Sequence, residues 1–425
     1  MSKTNLNKVL TWKEGSMLSI SAVIGCGILV LPSLSAQQAG PASLLIWIIT
    51  SFLAFPIVLV LSNLAANIPK AGGICSYVEQ AFGKKSGIII GWILMGSIPI
   101  GLPSVALSGA YYLGYVFPLS FTQLVLVAAS MLYFSIFLNI HGIDLSSKVS
   151  SSVVILIITV LCIVIATSLP HVKLDYFLPF NPYGTSSTMS LFPLIFFAFA
   201  GFELICPLAE EFKNPSHDIP ISLFLSALFI TFLYVAISFV TIGTNIYLSS
   251  DSITSLSSLI ALSFGKTAGS IIALLSVFIT FSSIHANIAG FSRIIYHEAR
   301  DGSFPKTLSR LHPNYKTPMN ALFALGIAFA FVLLYFVFFA PDLNQLLKFP
   351  GSVFLLSYVI SMAAGIKLLM KWSPVWWCAC LTFCICSLLF FSSGVICLFP
   401  FILGCFAFAY LKLKSYMNPK DSQHR

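Results

Sequence analysis

The chain is a succession of long apolar runs separated by short polar breaks. A helix needs about 20 apolar residues to cross a hydrocarbon core of about 30 Å. Runs of that kind lie near 16–39, 42–66, 87–117, 121–139, 149–169, 189–209, 221–247, 269–297, 319–340, 346–369, 374–391 and 394–411. The last two form one stretch, divided at Ser392–Gly394. Their length and continuous apolar character predict helices, whereas the strands of a membrane barrel would be short and alternating. The longest polar segments, at 67–86, 170–188, 248–268 and 298–318, are too short to be soluble domains. The expected fold is an all-α integral membrane protein with twelve transmembrane helices, residues 1–425 forming a single transmembrane domain.

Composition removes the alternatives. Apolar residues are 58% of the chain and charged residues 8%, against about 25% charged in soluble domains. Such a chain cannot cover a water-facing surface, which excludes a disordered chain, a secreted disulfide scaffold and a nucleic-acid-binding domain. The net charge of +9 is a matter of topology. With a cytoplasmic N-terminus and twelve alternating spans, 19 Lys and Arg fall on the cytoplasmic side and only Lys173, Lys266 and Lys348 on the other. This asymmetry predicts a multi-pass protein of the cell (inner) membrane with both termini cytoplasmic. Lys348 is read as an interfacial anchor that snorkels outward. Residues 1–15 are polar and basic, and the following run is long enough to remain as a span, so no cleavable signal is expected. Cys378, Cys380, Cys384 and Cys386 are paired two apart. Such neighbours point to different helix faces and cannot converge on one metal. Neither a metal site, a cofactor nor a disulfide framework is expected.

Candidate chemistry lies where the apolar runs are interrupted. The first run contains Ile24-Gly25-Cys26-Gly27-Ile28, with Pro32 beyond. The sixth contains Phe197-Ala198-Phe199-Ala200-Gly201-Phe202-Glu203, then Cys206-Pro207. Glycine weakens a helix by about 1 kcal/mol, and broken backbone at membrane depth persists only where it lines a cavity or is covered by protein. Runs one and six correspond if the first ten form two five-helix halves, 1–169 and 189–369, with 374–411 as two additional helices. Paired interruptions at matching positions point to a transporter binding site, where helix N-termini meet a carboxylate and helix C-termini a cation. The plainer alternative is close packing of small residues.

Two titratable residues lie within runs. Glu203 is about 10 Å from the cytoplasmic end of its helix at 1.5 Å per residue. It is a candidate proton carrier or a structural acceptor tying helix six to a neighbour. His285, near Ser282, Ser283 and Asn287, is a candidate proton carrier or a satisfied packing residue. Asn287, two residues on, faces elsewhere on the helix.

Several of these segments have the look of a known family. Glu211-Phe212-Lys213-Asn214-Pro215, continuing to Asp218-Ile219-Pro220, resembles the E-x-x-N-P…P loop after helix six of the amino acid–polyamine–organocation superfamily. The Phe197–Glu203 segment is similar to that family's helix-six hinge, and Ile24–Ile28 to its I-G-x-G-[IV] hinge in helix one. Pro69-Lys70-Ala71-Gly72-Gly73 with Tyr77 resembles the segment between helices two and three. Ala299-Arg300-Asp301-Gly302 with Pro305, His312-Pro313, Thr317-Pro318 and Asn320-Ala321 resembles the loop between helices eight and nine. Gly91-Trp92 and Ile98-Pro99-Ile100-Gly101-Leu102-Pro103 look like the bacterial exporters of methionine and branched-chain amino acids.

The resemblance implies a five-plus-five inverted repeat in which broken helices one and six hold the substrate backbone. Gly25, Cys26 and Gly27 would present amides to a carboxylate; carbonyls near Ala198, Phe199 and Ala200 would meet an ammonium group, with Phe197 as a gate. Ile98 and Gly101, together with Phe197 and Phe202, favour an apolar pocket. The substrate it implies is a neutral amino acid such as methionine, leucine, isoleucine or valine, moved by alternating access in the direction of export. An uptake permease coupled to H+ or Na+, or an amino acid/polyamine antiporter, is the alternative. Some proton-coupled relatives carry a lysine in the middle of helix five. Here Ile157 falls near that place and Lys148 lies at the helix end. Glu203 and His285 remain as proton candidates, and the serines of span eight as contributors to a sodium site. A membrane enzyme would need a nucleophile–base pair near one face, and none is evident. A channel would need rings of like residues.

Overall fold

A computed structural model describes residues 8–141, 143–249 and 252–417. Lys3, Lys420 and Arg425, counted in the charge asymmetry, lie outside them, as do the side chains of Cys26, Lys148 and Lys414. The described chain is helical, with one isolated parallel bridge between Leu10 and Phe212.

The first apolar run is broken into three helices, α1 (Trp12–Val23), α2 (Cys26–Leu29) and α3 (Leu31–Ala39). A capping box begins α1: the backbone N–H of Thr11 donates to the Glu14 carboxylate at 3.0 Å, and Glu14 also bonds the Thr11 hydroxyl. Pro32 sits in the first turn of α3, where its missing N–H is not needed. A 3-10 turn then leads into α4 (Ser43–Asn67). The segment 67–86, expected as a polar loop, contains a short buried helix, α5 (Ile74–Phe82). Next come α6 (Lys84–Val116), which carries Pro99 and Pro103, α7 (Phe121–Ile140) and α8 (Ile143–Ser168). The sixth run follows a short helix, α9 (Gly184–Met189). It forms α10 (Phe192–Ala198), opens at Phe199–Gly201, and continues as a 3-10 helix over Phe202–Glu211. The remainder is α11 (Pro215–Gly243), α12 (Ser255–Arg300), α13 (Met319–Phe339), α14 (Leu343–Leu368), α15 (Pro374–Ser392) and α16 (Leu398–Met417). Gly265, with φ 77°, divides α12 into two helical stretches, so part of the 248–268 segment is helical as well.

Eleven segments of the described chain are long and apolar enough to cross a membrane, against an expectation of twelve. The difference falls at the first run. No helix there reaches a spanning length, because the break at Ile24–Gly25 ends α1 after twelve residues, and α3 is counted with α4.

The outer surface explains the composition. Phe331, Phe338, Leu388 and Val395 are 71–82% exposed, an arrangement stable only against lipid. Inside, α4 packs along α11, α6 along α12 and α7 along α13. α1 touches α8, α11 and α12, while α10 lies against α4 and α14. Both broken helices are therefore central, walled by continuous helices that cover their irregular backbone.

Candidate functional site

The two breaks face one another. At the first, the Gly25 N–H turns back to the Val23 carbonyl at 2.9 Å, and α2 starts one residue later. Close packing makes the glycines necessary. A Cβ on Gly25 would lie 2.9 Å from the Ser283 Cβ, and one on Gly27 would lie 3.2 Å from Ala198 Cα and collide with the Tyr234 hydroxyl. At the second break Gly201 has φ 132°, a conformation that disfavours any side chain. A Cβ there would lie 3.0 Å from the Ala22 carbonyl carbon. The Tyr234 hydroxyl of α11 reaches both breaks, 2.9 Å from the Val23 carbonyl and 2.8 Å from the Ala198 carbonyl. Ser283 and Asn287 of α12 both donate to the Ala22 carbonyl, at 3.1 and 2.9 Å.

A cavity lies between these breaks and α6, α12 and α14. It encloses about 430 Å³ of atom-free space counted out to its mouth, of which the centre of a water molecule can occupy about 30 Å³. That is room for ~2 waters, so an amino acid side chain enters only if the walls move apart. Of the residues singled out from sequence, Gly25, Gly27, Ile98, Gly101, Phe197 and Ala200 border the cavity. The structure does not place Ile24, Ile28, Ala198, Phe199, Gly201 or Phe202 in its lining. Ile24 and Ile28 are core residues; Phe199 packs edge-on against Tyr234. The side chain of Cys26 lies outside the described residues.

The lining also includes Ser97, Phe291 and Phe354, which the sequence pattern did not single out, and Ser283 and Asn287, which it named beside His285, the serine as a contributor to a sodium site. A partial signal existed in Ser283 and Asn287, polar residues one helical turn apart in an apolar span. No residue of the lining is ionisable.

Neither proton candidate borders the cavity. Glu203 is buried, and its carboxylate accepts the Gly201 N–H at 3.0 and 3.1 Å and bonds the Tyr358 hydroxyl of α14. It thereby satisfies a backbone amide that the break leaves without a helical acceptor. His285 faces α7, where its Nδ1 lies 3.2 Å from Ser135 Oγ and 3.0 Å from Asn139 Nδ2, and its ring stacks on Phe281. Ser282 bonds Ser21 on α1. Ile157 is fully buried in α8.

Beyond the cavity, the face carrying Lys70, Lys213 and Arg300 is packed shut. Arg293 and Glu211 form a buried ion pair at 2.9 Å. Arg300 pairs with Glu210 at 3.4 Å, and Glu210 also accepts the Ala71 N–H at 2.9 Å. The backbone at Val9–Leu10 bonds Glu211 and Lys213. His297, next to Asp301 at 3.6 Å, receives Arg300 at its other ring nitrogen, and Glu79, His297 and Asp301 bring one ligand atom each within 4.8 Å of one another.

Known proteins share this chain's sequence throughout. The profile of the family described as amino acid permease matches residues 10–419. The uncharacterized amino acid permease YecA of Bacillus subtilis is 44% identical over 409 residues, covering 96% of each chain. The branched-chain amino acid permease BcaP of the same organism is 30% identical over 330 residues, covering 73% of this chain and 71% of its own. The L-methionine/branched-chain amino acid exporter YjeH of Escherichia coli is 28% identical over 371 residues, covering 86% and 87%. These relatives are transporters, not enzymes, and the chain is a multi-pass membrane protein belonging to the amino acid permeases of the amino acid–polyamine–organocation superfamily.

Proposed function

We propose that the protein is a secondary transporter of neutral, apolar amino acids, with leucine, isoleucine, valine and methionine as substrates. The observation that carries this reading is the cavity at two helix breaks, walled by Ile98, Leu102, Phe197 and Phe354 and free of ionisable side chains. A cationic substrate side chain would find no carboxylate there, since Glu203 is engaged by Gly201 and Tyr358. The Gly25–Gly27 segment, where α2 begins, suits a substrate carboxylate.

Alternating access is supported by the pairing of helices. Exchanging each of the first five spans with its counterpart five later carries the α4–α11, α6–α12 and α7–α13 contacts into themselves, and the α1–α8 contact into α10–α14. This supports two repeats, 1–169 and 189–369, rocking about a shared site, with 374–411 outside the exchange. The Lys- and Arg-rich face, closed by the Arg293–Glu211 pair, is the cytoplasmic one in this reading. The likeness to the Escherichia coli exporter favours outward movement of substrate; uptake is the alternative suggested by the branched-chain permease.

Binding of labelled leucine to purified protein tests the substrate class. Unlabelled isoleucine, valine and methionine should displace it, whereas lysine, glutamate and putrescine should not. Displacement by lysine or putrescine in preference to methionine would contradict the proposal.

A further inference from the structure

The α12 wall of the cavity carries one polar group whose bonding is incomplete. Asn287 borders the cavity and is 9% exposed. Its Nδ2 donates to the carbonyls of Ala22 and Ser283, each at 2.9 Å. The opposite amide orientation would set Oδ1 against the same two carbonyl oxygens, so these partners fix which atom is which. Among the described residues Oδ1 receives no donor.

Several carbonyls at the breaks are engaged. Ala22 accepts from both Asn287 and Ser283. With two lone pairs, the Ala22 carbonyl is saturated. Val23 accepts from the Gly25 N–H, and the single Tyr234 proton serves either Val23 or Ala198. The Phe199 carbonyl lies 3.3 Å from the Tyr358 hydroxyl, which also bonds the Glu203 carboxylate. The hydroxyl protons of Ser97 and Ser283 also go to backbone carbonyls, of Leu94 at 2.7 Å and Ala22 at 3.1 Å. This wall therefore offers acceptors without free protons, beside the negative end of the α1 dipole. Its chemistry suits a donor-rich cation, and Asn287 Oδ1 is its one amide oxygen fixed by two bonds made by its own nitrogen.

We infer that Asn287 Oδ1 accepts an N–H from the substrate's α-ammonium group and makes that group a condition of recognition. The inference rests on the amino acid reading above and adds to it the residue that reads the ammonium. Asn287 is then a binding residue with a second task, bracing the Ala22 carbonyl, and the test must separate the two.

Counterflow of labelled leucine in proteoliposomes would be measured for wild type, Asn287→Leu and Asn287→Asp. 4-Methylpentanoate, which is leucine with a hydrogen in place of the ammonium and so has no donor there, serves as a competitor. Loss of a hydrogen bond to a charged group should raise the KM for leucine in N287L by about 10- to 100-fold. Inhibition by the desamino acid should weaken far less. N287D, which keeps an acceptor but removes the brace, should still prefer leucine to the desamino acid. Equal weakening of both compounds in N287L would make Asn287 a brace alone and overturn the inference, as would an unchanged KM. A wild type that exchanges no amino acid would remove the functional reading and this inference with it. Wild-type exchange with unaltered selectivity in N287L would remove the inference only.

Discussion

The two breaks serve one cavity but are built differently. The first, at Ile24–Gly27, is held from outside: Ser283 and Asn287 of α12 and Tyr234 of α11 satisfy the carbonyls of Ala22 and Val23. Glycine keeps its backbone bare towards the cavity. The second, at Phe199–Gly201, is closed on itself. Glu203, two residues along, accepts the Gly201 N–H and bonds the Tyr358 hydroxyl, which also lies 3.3 Å from the Phe199 carbonyl. The first break thus presents backbone to the cavity, whereas the second presents mainly the side chain of Phe197 and the small surface of Ala200. Symmetry of position does not impose symmetry of chemistry.

The largest effect is expected at the glycines. Gly25→Leu should insert normally yet lower exchange by about a hundredfold or more, because displacing a bound group by an ångström can cost that much. Gly201→Leu should be equally inactive for a different reason, since its backbone conformation and the approach of Ala22 leave no place for a side chain. Thermal stability separates them: G201L should melt well below wild type, and G25L less so. Near-normal exchange in G25L would remove the first break from the binding site.

Glu203→Gln comes next. Weakening a charge-assisted capping bond should lower stability by about 1.5–3 kcal/mol, read by thermal unfolding in detergent, with the pH profile of exchange unchanged. A displaced profile would return Glu203 to the role of proton carrier. Tyr234→Phe removes a hydroxyl that touches both breaks, and a loss of about 1 kcal/mol is expected. If the hydroxyl coordinates the breaks, the exchange rate should fall while leucine affinity holds. His285→Gln should have the smallest effect, with exchange and its pH profile within about twofold of wild type, as for substitutions away from a site.

The positions of the breaks were readable because glycine and proline interrupt apolar runs, and the fold because spanning helices have a characteristic length. Other features depend on packing. Asn287 and Phe354 lie on helices with no marked polar and apolar faces, so only the assembled bundle decides which face meets the cavity. The same holds for Tyr358, which lies 155 positions beyond its partner Glu203. α5 was hidden in a segment that reads as polar, although Cys75, Tyr77 and Val78 are buried. The carbonyls of Ala198 and Phe199, expected to be free, are approached by tyrosines from other spans.

The central claim, a carrier that exposes one amino acid site alternately to each side, is tested most directly by counterflow. Proteoliposomes loaded with unlabelled leucine and methionine are diluted into labelled leucine with no ion gradient. The account predicts transient accumulation of label above empty vesicles, abolished in G25L. Folded, inserted protein that gives no accumulation with any neutral amino acid would contradict it.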